Sequence, residues 1–152
     1  MASAEATDGR GPAEGAPDDQ ARVPVDAGRE PVTVLVVDDE PAIRRFVARA
    51  LARDAFRIVE APDGRSAIAA AEADLRRLGL VICDLSLPDL GGEEVIRAAR
   101  ALRPGLAAIV MTGWDPRSTA DALDTSGPVA WLAKPFTAAQ LRAVVDATLS
   151  RP

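Results

Sequence analysis

The chain has no histidine and no tyrosine, one cysteine (Cys83) and one lysine (Lys134). These absences remove imidazole and phenol from the candidate nucleophiles, and the cysteine lies inside an apolar run, which leaves a carboxylate, a hydroxyl or water. A single cysteine makes no internal disulfide, in keeping with a reducing cytoplasm. No stretch approaches the run of about 20 apolar residues that a membrane span needs. The start, MASAEATDGR, lacks the basic segment and apolar core of a secretory signal. Basic excess is missing too. Residues 1–30 carry seven acids against three arginines, and the rest has 16 acids against 15 bases, so direct nucleic-acid binding is not expected. Of the 18 basic residues 17 are arginine. Lys134 therefore reads either as a by-product of compositional bias or as a site needing a compact ammonium that arginine cannot imitate.

At 152 residues the chain suits one domain with a buried core. Residues 1–30 are rich in Ala, Gly, Pro and Asp and nearly free of large apolar side chains. Such a segment cannot offset its ordering entropy, so it is expected to be a disordered acidic tail, with the folded domain over 31–150.

From Pro31 onward strand and helix patterns alternate. Val32–Val37 reads as a buried strand ending in Asp38-Asp39-Glu40, with Pro41 suited to a first helical turn. Ile43, Phe46, Val47, Ala50 and Leu51 form one apolar stripe. Phe56–Val59 is a second, more exposed strand, and an Ala-rich helix follows over Ser66–Leu78 with Ile68 and Leu75 inward. Leu80–Cys83 is the third strand, and after a Pro88–Gly92 loop Val95, Ile96 and Leu102 face inward from another helix. Leu106–Met111 is the fourth strand, Trp114–Ser126 a short helix, and Val129–Leu132 the fifth strand. Thr137 and Gln140 form a capping-box pattern before a last stripe of Leu141, Val144, Val145, Thr148 and Leu149. Five alternations predict an α/β fold, a doubly wound five-stranded parallel sheet with five helices on its two faces.

In that fold the strand C-termini share one edge, where open α/β sheets bind ligands. The edge would collect Asp38 and Asp39, Asp84, Thr112 and Lys134. Singly, each has a plainer reading: an acidic helix cap, a strand-ending turn, a surface turn. Together, in this order and each at a strand end, they describe a site. Three clustered carboxylates repel one another unless a cation neutralises them, and an all-oxygen site suits a hard divalent ion, foremost Mg²⁺. Thr112 and Lys134 supply donors for an anion beside it. The set describes phosphoryl transfer with Asp84 the best candidate nucleophile.

The motifs VVDDE, CDLSLPDLGG, MTG and LAKPF resemble the receiver domain of bacterial two-component response regulators, over residues 32–150. The resemblance implies the flavodoxin-like strand order 2-1-3-4-5. It implies that Asp84 accepts a phosphoryl group from a kinase phosphohistidine, and that Asp39 and Asp84 ligate Mg²⁺ with the backbone carbonyl of Ser86. Asp38 would act largely through water. Lys134 would pair with Asp84 and then with the phosphoryl oxygens, and Thr112 would be the switch hydroxyl. Trp131 stands where the family usually has Tyr or Phe as its switch aromatic, and Pro88 and Gly92 fall at the family's loop positions. Ser86 and Trp114 occupy positions that tune dephosphorylation.

The expectation is a cytoplasmic single-domain response regulator, a phosphoprotein of two-component signal transduction and not an enzyme. Its partners would be a sensor histidine kinase or phosphotransfer protein and a downstream protein, since nothing after Leu149 reads as an effector domain. A phosphorelay intermediate is the nearest alternative. From other classes come a Mg²⁺-dependent aspartyl-phosphate phosphatase and a degenerate binding module.

Overall fold

The structure, a computed structural model, describes residues 30–53, 55–113 and 126–150. Residues 1–29 of the expected tail and 114–125 of the expected fourth helix, Trp114 included, lie outside the described residues. The apolar runs form β1 (Val32–Val37), β2 (Phe56–Ala61), β3 (Leu78–Asp84), β4 (Ala107–Thr112) and β5 (Val129–Ala133). They make one parallel sheet in the order β2-β1-β3-β4-β5. Among the described residues four helices are present: α1 (Pro41–Ala50), α2 (Gly64–Ala73), α3 (Gly92–Leu102) and α4 (Ala138–Leu149). The doubly wound, flavodoxin-like fold is as the sequence indicated. None of these helices is long and apolar enough to cross a membrane.

Alternation along the central strands builds two cores. Val34, Val36, Leu80, Ile82, Ile109 and Met111 face α1 and α4, meeting Val47, Leu51, Leu141 and Val145. Leu35, Val37, Val81, Cys83, Ala108 and Val110 face α2 and α3, meeting Ala67, Ala71, Val95, Ile96 and Ala99. Burial on both faces is why β1, β3 and β4 read as unbroken apolar runs. Each large aliphatic side chain fully buried there contributes about 1.5–3 kcal/mol. Pro41 opens α1, and the reciprocal Thr137–Gln140 capping box opens α4, both as the sequence indicated.

Several boundaries differ from the sequence reading, the largest difference lying between the second helix and β3. The Ala-rich helix ends at Ala73, because Leu78 already pairs with Thr33 as the first residue of β3. Gly79 hides that strand start: a Cβ there would lie 2.4 Å from Val32 Cγ1, so any side chain at this position would force the Val32 side chain on β1 to move. Inward positions shift as well. Ala67 and Ala71 are buried where Ile68 and Leu75 were expected, and Leu102, at the end of α3 and the margin of its stripe, is 38% exposed.

Candidate functional site

Register assembles the site. Val37 pairs with Cys83 across β1 and β3, so the next residues, Asp38 and Asp84, emerge side by side. Thr112 pairs with Ala133 across β4 and β5, which sets Lys134 one step beyond. The carboxylates of Asp38, Asp39 and Asp84 each offer an oxygen within 4.8 Å of the others. Asp38 is fully buried and Asp84 is 8% exposed, while Asp39 reaches solvent.

Such burial requires partners. Asp38 accepts from the Glu40 N–H at 2.9 Å and from Lys134 Nζ at 2.7 Å. Asp84 accepts from the Ser86 N–H at 3.1 Å and from Lys134 Nζ at 3.1 Å. Burial pulls the Lys134 pKa down, but the hydrogen bond and charge of Asp38, and then those of Asp84, outweigh it and hold the pKa above the ordinary lysine value. The ammonium therefore stays charged at neutral pH. Three carboxylates against one bound ammonium leave a cluster of oxygens with net negative charge, and this donor set fits a hard divalent cation.

Thr112 is buried at the end of β4, and its carbonyl accepts from the Lys134 N–H at 2.9 Å. The peptide between Lys134 and Pro135 is cis. Trp131 lies half-buried on β5, packed against the core shared with α2 and α3. Cys83 is ruled out as a nucleophile. Burial, and then the negative charges of Asp84, Asp38 and Glu93, push its thiol above the ordinary range, and Sγ donates to the Asp84 carbonyl.

The loop after Asp84 folds back on itself. Ser86 and Gly91 form an antiparallel bridge, and Gly92 N–H donates to Leu85 O at 3.1 Å. Gly92 must be glycine, since a Cβ would lie 2.3 Å from the Asp84 carbonyl oxygen. Two contributors escape sequence reasoning. Arg44 donates from Nη1 to the Asp38 carbonyl at 2.6 Å and pairs with Glu60 at 3.3 Å. Asp89 accepts from the N–H groups of Gly64 and Arg65, 25 and 24 residues away. An arginine in the first turns of α1 is a weak local signal for the first, and nothing in the sequence pairs Asp89 with α2.

The site therefore presents a nearly buried carboxylate, an ammonium bonded to it, a buried threonine and a cluster of carboxylate oxygens whose chemistry suits a cation. Comparison with known proteins identifies the family. The family model for the response regulator receiver domain matches residues 34–146. The probable transcriptional regulatory protein TcrX of Mycobacterium tuberculosis is 38% identical over 125 residues, covering 82% of this chain and 53% of that protein. The KDP operon transcriptional regulatory protein KdpE of Escherichia coli is 37% identical, covering 78% of this chain and 51% of that protein. The chain thus spans about half the length of these curated relatives. Among solved structures, the chemotaxis protein CheY4 of Vibrio cholerae superposes with a TM-score of 0.70 at 27% identity, covering 78% of this chain and 98% of that one. The chain belongs to the response regulator receiver domain family.

Proposed function

We propose that the domain over residues 31–150 is a phosphorylation switch in which Asp84 takes a phosphoryl group from a histidine kinase or phosphotransfer protein. Receiver domains are regulatory phospho-acceptor domains that bind Mg²⁺ in an acidic pocket and interact with sensor histidine kinases. The observation that carries the assignment to Asp84 is its carboxylate, nearly buried at the strand edge and held by Lys134 Nζ and the Ser86 N–H.

A carboxylate oxygen of Asp84 attacks phosphorus as the P–N bond of phosphohistidine breaks, the electron pair leaving on the imidazole nitrogen. The product is an aspartyl phosphate. The Lys134 ammonium, already beside Asp84 Oδ2, faces the charge that gathers on the phosphoryl oxygens. Thr112 donates its hydroxyl to one of those oxygens, and Trp131 is the aromatic that follows it. Asp39, Asp84 and the Ser86 carbonyl would hold Mg²⁺, with Asp38 acting largely through water, and the ion supplies charge neutralisation when bound.

In this reading the chain is no turnover enzyme. It works in the cytoplasm as a regulatory domain whose output is altered binding to a downstream protein. Phosphorylation biases a pre-existing equilibrium of the β4–β5 region.

The test is intact-mass measurement after incubation with acetyl phosphate and Mg²⁺. The wild-type chain should gain one phosphoryl group, and Asp84→Asn should gain none while keeping its circular dichroism spectrum. Label persisting in Asp84→Asn would overturn the assignment. Many turnovers on simple phosphate esters would replace a switch with a phosphatase.

A further inference from the structure

Asp89 sits at the tip of the loop that follows the acceptor aspartate, and both of its carboxylate oxygens are engaged. Oδ1 accepts from the N–H groups of Gly64 at 2.7 Å and Leu90 at 2.8 Å, and Oδ2 accepts from Arg65 at 2.9 Å. Gly64 and Arg65 are the first two residues of α2, whose leading N–H groups have no partner within the helix. The helix's own N-cap, Asp63, serves a different donor, Ser66 N–H at 2.8 Å. The start of α2 is therefore satisfied by two carboxylates, one local and one from the loop. Gly64 makes the approach possible, because a Cβ there would lie 2.8 Å from Leu90 Cβ. Desolvation pushes the Asp89 pKa up, but the N–H groups of Gly64, Arg65 and Leu90 together outweigh it and hold the carboxyl below its ordinary value.

The other end of the same loop is fixed at the site. The Ser86–Gly91 bridge closes it, and Gly92 packs without a side chain on the Asp84 carbonyl. Residues 87–90 thus form a strut between the bridge and α2. We infer that Asp89 is a positioning residue: by clamping the loop tip to the first turn of α2 it sets where Ser86 presents its backbone carbonyl to a divalent cation. The inference rests on the cation site proposed above. A carbonyl ligand has no rotamer of its own, so its aim is set only by the backbone that carries it. That backbone is held at the tip by a contact to a second helix.

The experiment is calorimetric titration of Mg²⁺ into the full chain, with thermal midpoints recorded beside it, for wild type, Asp89→Ala, Asp89→Asn and Asp63→Ala. Asp89→Ala removes the clamp and should raise the Mg²⁺ dissociation constant about 10-fold, the low end of the effect of losing an outer orienting contact. Asp89→Asn keeps one acceptor in the same volume and should fall between Asp89→Ala and wild type; it also serves if the alanine variant does not fold. Asp63→Ala loosens the same helix start without touching the loop, so its midpoint should fall while its Mg²⁺ affinity stays at the wild-type value. Wild-type affinity in both Asp89 variants, or equal weakening in Asp63→Ala, would overturn the inference. A wild-type chain that binds no Mg²⁺ would overturn the cation site itself and the inference with it.

Discussion

Lys134 Nζ lies 2.7 Å from Asp38 Oδ2 and 3.1 Å from Asp84 Oδ2, so the ammonium sits closer to Asp38 than to the proposed phosphoryl acceptor. In the proposed function, an anchor on Asp38 would keep the charge in place while the longer bond to Asp84 is exchanged for bonds to phosphoryl oxygens. The sequence offered Lys134 and Asp84 as the pair. The tertiary structure makes Asp38 the closer partner.

Replacing Lys134 with arginine keeps the charge but substitutes a planar fork for a compact point donor that serves two carboxylates at once. Lys134→Arg should slow phosphoryl incorporation from acetyl phosphate by about 10–100-fold, somewhat less than the loss of a whole charge-stabilising donor. The measurement is the initial rate by intact mass. A wild-type rate would show that the compactness of the ammonium is not required and that the single lysine reflects composition alone.

Gly92→Ala places a methyl group 2.3 Å from the Asp84 carbonyl oxygen and 2.8 Å from Leu85 Cα, both backbone atoms that cannot swing aside. The variant should lose about 1–3 kcal/mol in denaturant unfolding, the cost of forced overpacking. Because the displaced backbone carries Asp84, phosphorylation should slow as well. A stable variant with a wild-type rate would mean that the loop accommodates the methyl without moving the acceptor.

Cys83 gives the protein an alkaline limit. Its thiol pKa is raised in the folded state by burial and then by the charges of Asp84, Asp38 and Glu93, from an ordinary value near 9.0. Below that ordinary value both states hold the proton and stability is unaffected; above it the unfolded chain ionises first. Stability should therefore fall by about 1.4 kcal/mol per pH unit from near pH 9 upward. Lys134, raised above 10.5, adds a second loss that begins as its unfolded form titrates. Cys83→Ala should flatten the first limb in urea unfolding between pH 8 and 10. A slope unchanged in that variant would place the alkaline loss on another group.

Much of the fold was legible because its signals are local. Val32–Val37 and Leu80–Cys83 read as strands from their own composition, and Thr137 and Gln140 form their capping box within four residues. The errors fell where a distant element overrides local preference. Leu78 looks like the end of an Ala-rich helix until it pairs with Thr33 of β1. Leu102 fits an apolar period and yet is half-exposed at the helix end, whereas Arg100 is buried. Its guanidinium donates to the carbonyls of Leu106 at 3.0 Å and Pro128 at 2.8 Å, partners that only the packed strands supply.

By itself the sequence indicated where the central strands run and, since parallel strands of one sheet share a C-terminal edge, that Asp38, Asp39, Asp84, Thr112 and Lys134 would lie along it; the structure brings together Asp38, Asp39, Asp84 and Lys134. That inference needs only run length and chain direction. Only the tertiary structure decided the contacts inside the meeting: Lys134 closest to Asp38, Arg44 on the Asp38 carbonyl, Asp89 clamped to α2. These depend on strand register and helix placement to within an ångström or two. Register and placement are set by the packing of both cores at once, which no local stretch of sequence encodes.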